Sequence, residues 1–145
     1  GLWAEDLTIN QDWEFSIRYI LADCKIYFNN EISCLFRLHQ QDNIGKSLNS
    51  VHKVKGKEVS TIKIRELVKA RDKLVPELDR LYFKRLIFCL LSYGVIKAYK
   101  EKLNLTNYIT TSFSLNLKEK LLLKFIAYSS SFIDRVVLRA YSRIK

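Results

Sequence analysis

From Leu81 to Ile96 the chain reads LYFKRLIFCLLSYGVI, and apolar side chains occupy most of the circumference of any helix drawn through it. A helix that is apolar on nearly every side has little surface to give to water, so other helices must wrap it. That requirement points to an all-α bundle. One proline and four glycines in 145 residues point the same way. They are too few for a sandwich of short strands joined by tight turns, and 48% hydrophobic residues is too many for a disordered chain. The length is that of one ordinary domain.

Spacing divides the chain into segments. It predicts a helix over 8–38, opened by Thr8 and Gln11 as a capping pair, with Trp13, Ile17, Ile20, Leu21 and Cys24 on one stripe and Asn29-Asn30 as an interruption. Residues 39–59 form the most polar stretch, contain Gly45 and Gly56, and read as a loop. Ser60 or Thr61 caps the next helix, whose apolar face is Ile64, Leu67, Val68, Leu74 and Val75. Pro76 cannot sit inside a helix without losing a hydrogen bond, but it suits a first position, so a break falls at Val75–Pro76.

The central helix is then expected from Glu77 to about Leu103. Residues 104–115 alternate apolar and polar at Ile109, Thr111, Phe113 and Leu115, a strand-like period. That segment reads as an extended loop or a short β element. Asn116 with Glu119 caps a last helix through Ile144, with Leu122, Phe125, Ile126, Phe132, Ile133, Val136, Val137 and Ala140 on its inward side. The expectation is a single all-α domain, residues 1–145, built as a bundle of four to five helices.

Most familiar catalytic and metal patterns are missing. His39 and His52 are the only histidines, and neither H-x-x-x-H nor C-x-x-C occurs. No glycine-rich phosphate loop and no G-x-S-x-G is present. Arg37 precedes His39 by two residues rather than the four to six of the helical ribonucleases called HEPN. We therefore expect no enzyme activity, no cofactor and no metal. Cys24, Cys34 and Cys89 are odd in number and lie in apolar runs, which fits small core residues in a reducing, intracellular setting, nucleus or cytoplasm. The longest uncharged apolar run, Leu86–Ile96, is too short for a bilayer that needs about 20 residues. The first residues lack the basic and apolar regions of a signal peptide, and methionine is absent even at position 1, as in a processed or excised chain or one opening on a tag remnant.

Charge is the informative quantity. Residues 1–50 carry 4 Lys and Arg against 7 Asp and Glu, whereas residues 51–145 carry 21 against 8. Such asymmetry points to a polyanionic partner, nucleic acid first and an anionic membrane surface next, with surface solubility as the plain alternative. Arg65, Lys69 and Lys73 are spaced four apart, and Arg135, Arg139 and Arg143 repeat the spacing. Two cationic rows at one helical turn could track phosphates, with arginine adding paired hydrogen bonds. Nothing in the pattern reads a base edge, so contact would be to the backbone, as DNA or RNA. Tyr99, Tyr108, Tyr128 and Tyr141 lie near cationic or polar positions, and read either as stacking platforms or as rings packed with the hydroxyl at the surface.

Two stretches resemble known families. ELDRLYF, residues 77–83, and SLNLKEKLLLKFIAYSSSFIDRVVL, residues 114–138, resemble the helical domain of GINS replication-complex subunits, although FCLLSYGVIK stands where that family carries its basic run. VSTIKIREL, with Thr61, Ile64 and Arg65, resembles the helix opening of the small helical subunit of type III CRISPR effector complexes. Both resemblances imply an all-α, non-catalytic scaffold subunit of a nucleic-acid-processing complex. It would contact protein partners through apolar helix faces and phosphates through the two rows. The alternative is a protein-interaction module whose basic face meets an acidic partner without nucleic acid.

Overall fold

A computed structural model describes residues 4–7, 9–25, 27 and 50–141, of which Tyr141 is described by its backbone alone. Among these residues there are six helices and no strand: α1 (Gln11–Leu21), α2 (Val51–Lys69), α3 (Pro76–Val95), α4 (Tyr99–Ser112), α5 (Leu117–Tyr128) and α6 (Ser131–Tyr141). The all-α bundle expected from the sequence is present, with more and shorter helices.

The central helix is α3. It packs against α2, α4, α5 and α6, while α1 rests on α2. Every residue from Cys89 to Gly94 is buried, as a helix surrounded on all sides requires. Tyr82, Leu86, Leu90 and Leu91 on α3 meet Ile64 and Val68 from α2, Leu105 and Ile109 from α4, and Leu123 and Ile126 from α5 in one apolar cluster. Gly94 is there for contact rather than conformation. A Cβ built on it would overlap the carboxylate of Asp134 and crowd the Lys102 ammonium.

Helix starts follow local chemistry. Val75 is extended, as a residue before proline must be, and Pro76 opens α3 with Glu77 and Asp79 in its first turn, where carboxylates favour the positive end of the helix dipole. Asn116 and Glu119 form the reciprocal capping box of α5. Ser50, not Ser60 or Thr61, caps α2 by accepting the Lys53 N–H at 3.4 Å. Ser60 and Thr61 lie inside α2, buried, and return their hydroxyls to the Lys57 carbonyl.

Helix ends explain where the sequence reading went astray. Three helices close with an N–H three or four residues past the end bonded back into the last turn: Cys24 to Tyr19, Lys73 to Val68 and Ala98 to Tyr93. Each closure puts a residue in the left-handed region, and none is glycine: Asp23 (φ 54°), Asp72 (φ 53°) and Lys97 (φ 60°). Without a glycine to mark them, two of these stops lay hidden inside longer predicted helices. The helix expected over 8–38 ends at Leu21, with Thr8 and 28–49 outside the described residues. The helix expected to reach Leu103 ends at Val95.

Two predicted irregular segments are helical instead. Residues 51–59, assigned to the polar loop at 39–59, form the first turns of α2, while 39–49 lie outside the described residues. Residues 104–112 belong to α4, and only Phe113 of the supposed extended segment is shown with extended backbone angles. Of the alternating residues, Ile109 and Phe113 are buried and Thr111 between them is exposed; Ile109 continues the inward face of α4 from Leu105, four residues earlier. The last helix divides at Ser129–Ser130 into α5 and α6, and its inward side changes as a result.

Candidate interaction surface

Arg65 sits inside the protein, not on a basic face. Its side chain is 3% exposed and holds three helices together. Nε donates to Asp79 at 2.7 Å, the terminal nitrogens donate to Glu66 at 2.9 Å and to the Ser112 carbonyl at 2.8 Å, and the guanidinium lies 3.9 Å from the Phe113 ring centre. Burial alone would lower its pKa, but the hydrogen bond and charge of Asp79 outweigh that and hold it above its ordinary value. Tyr108 joins the cluster by donating to Glu66 at 3.0 Å, and burial together with that bond raises the phenol's pKa. With its donors turned inward, Arg65 is not a phosphate contact.

The rest of the first row also breaks up. Because α2 ends at Lys69, the four-residue spacing to Lys73 no longer follows a helix face. Lys73 is exposed but bonded to Asp23 at 2.9 Å, and that bond is the main reason the Asp23 carboxyl titrates below its ordinary value. Lys69 is exposed and makes no ion pair among the described residues. The second row fares better. Asp134 faces inward, so Arg135 and Arg139 stand on the solvent side of α6 one turn apart. Arg143 lies outside the described residues.

The feature not anticipated is apolar. Leu122, Phe125, Phe132, Ile133 and Val136, expected to face the core, are all exposed. On α5 only Leu123 and Ile126 are buried, which turns Leu117 (73% exposed), Leu121 (60%), Phe125 (55%) and Tyr128 (85%) to solvent along one side. On α6 the inward positions are Asp134 and, in part, Val137 and Leu138, so Phe132 (74%) and Val136 point out. Cations stand among these residues: Lys118, Lys120 and Lys124 on α5, Arg135 and Arg139 on α6, all exposed. The signal available in the sequence was an apolar surplus, since α5 carries apolar residues on more sides than one packing face can use.

Of the tyrosines considered as stacking platforms, Tyr99 and Tyr128 are exposed, Tyr108 is tied to Glu66, and the Tyr141 side chain lies outside the described residues.

Other polar groups are sealed into packing. Lys102 and Asp134, 1% and 0% exposed, pair at 2.7 Å between α4 and α6, and Ser129 bonds to both. Glu58 accepts from the buried Tyr93 hydroxyl at 2.6 Å and from Lys55 at 2.7 Å; burial and the Glu58 bond push the Tyr93 pKa well up. Burial pushes the Cys89 thiol up to about 12, which leaves it without thiolate character. Among the described residues no three His, Cys, Asp or Glu side chains are placed to hold a metal, and no helix is long and apolar enough to cross a membrane. A cleft of about 450 Å³ opens between the start of α3 and the α4–α5 connection, lined by Phe83, Phe113 and Leu115 together with Arg80 and Glu119.

Comparison with known proteins finds no match: no family model, no curated protein and no solved structure matches the chain.

Proposed function

We propose that this chain is a non-catalytic helical adaptor that works by docking another protein on α5 and α6. The carrying observation is the row of outward apolar side chains, Leu117, Leu121, Phe125 and Tyr128 on α5 with Phe132 on α6, set among exposed cations. Apolar groups displayed in such rows mark interaction sites. We take the setting as intracellular. The test is site-specific photo-crosslinking in the source cell. A crosslinker at Tyr128 forms discrete protein adducts, and one at Tyr99, exposed on α4, does not. Equal or absent adducts from the two positions would sink the reading.

A second reading has the adaptor working inside a nucleic-acid-processing complex, touching DNA or RNA phosphates. It is supported by the exposed Lys69, Arg135 and Arg139, by the net charge of +10 and by the two family resemblances. Arg65 has no part in it, and Lys73 would first have to release Asp23.

A further inference from the structure

We propose that the occupant of α5 is an acidic amphipathic helix of another protein; the inference rests on the adaptor reading above and names the chemistry of its partner. Leu121, Phe125 and Tyr128 follow one another at intervals of four and three residues on the outward side. That is the spacing of a helix–helix seam, in which a partner helix lays its own apolar residues between them. At about 100° per residue, Lys118 and Lys124 flank this seam on opposite sides, where a paired helix presents its edge charges. Glu119, the only carboxylate of α5, is turned away and half-buried, accepting the Asn116 N–H at 2.9 Å. The seam is therefore apolar along its middle and positive on both edges.

Four kinds of occupant can be compared on this chemistry. A second copy of the chain would bring lysine edges against lysine edges, which like-charge repulsion opposes. A nucleic acid would satisfy the lysines and leave Leu121 and Phe125 in water. An anionic lipid surface would accept both, but the apolar residues of the seam form a narrow stripe between Lys118 and Lys124 rather than a broad apolar face to sink into a bilayer. A helix with Leu or Phe along one side and Glu or Asp on its edges uses every part of the arrangement. The described seam is two turns long, so binding through α5 alone is weak, on the order of tens of micromolar.

The experiment titrates the full chain against two fluorescent synthetic helices of equal length that share one Leu/Phe face. One carries Glu on its edges and the other Lys. Vesicles of phosphatidylcholine and phosphatidylserine form a third arm, and sedimentation of the protein alone a fourth. The Glu-edged helix is expected to bind at least about ten-fold tighter than the Lys-edged one. Lys118→Glu with Lys124→Glu reverses that preference. Leu121→Gln with Phe125→Gln abolishes binding of both while the circular dichroism spectrum is kept. Equal binding of the two helices overturns the acidic partner and leaves the adaptor reading standing. Vesicle binding with neither helix bound assigns the face to lipid and overturns the proposal, as does self-association in the sedimentation arm. If nothing binds, the acidic helix is overturned, and the crosslinking from Tyr128 then decides the adaptor reading on its own.

Discussion

Lys97 holds a backbone conformation that an L side chain enters at a cost of about 1–2 kcal/mol, and it does so to close α3 and redirect the chain into α4. Glycine takes that conformation without the Cβ penalty, though it is more flexible when unfolded. Lys97→Gly is therefore expected to raise stability by about 0.5–1 kcal/mol, read as a shift in the urea midpoint with an unchanged slope. Asp72→Gly should give less, because aspartate tolerates the left-handed region better than lysine does. Arg65 shows the opposite economy. It is one of 25 Lys and Arg, yet its hydrogen bonds and its ring contact are all internal, so it contributes to cohesion between α2, α3 and α4 rather than to the outer field.

At the level of elements, α6 packs on α3 through Val137 and Leu138 and carries a buried ion pair to α4. Removing one partner of such a pair strands a charge in a dry place, whereas removing both is much less harmful. Asp134→Asn alone is expected to destabilise by about 3–5 kcal/mol, and Lys102→Met by a comparable amount. The double substitution should cost no more than either single, which is a coupling of about 3 kcal/mol or more by chemical denaturation. Additive losses would mean the pair is not coupled.

The same scale shows what the sequence could and could not reveal. Pro76 and the Asn116–Glu119 box were legible because each imposes its geometry through its own covalent structure or side chain. The start of α2 was not, because VHKVKGKEV has the look of a loop and becomes helix where Val54 is buried and Glu58 finds Tyr93 across the core. The stops at Asp23 and Lys97 were hidden for want of a glycine. The cationic row of α2 was legible as spacing only: identity at every fourth position says nothing about which face the rest of the fold covers, and Arg65 fell on the covered one. The outward face of α5 was misread as core because the turn at Ser129–Ser130, which resets the inward direction, carries neither glycine nor proline.

For the molecule as a whole, a net charge of +10 sets a field that attracts any polyanion to some degree, so only the shape of the response separates the two readings of function. If nucleic-acid phosphates are the target, affinity for DNA and RNA falls steeply with salt, and Lys69→Glu with Arg135→Glu lowers both the affinity and the salt slope uniformly across sequences. Electrophoretic shifts with single- and double-stranded DNA and RNA at two salt concentrations measure this. Binding that the double substitution leaves unchanged would remove those residues from any phosphate contact.

The placement of Asp134 carries one more consequence, for the time when the protein is being made. The carboxylate that closes the space over Gly94 and neutralises Lys102 belongs to the last helix described, while the helix it covers emerges from the ribosome much earlier. Through that interval the apolar surface of α3 that α6 will cover is open to water, and surface of that kind favours aggregation until α6 docks.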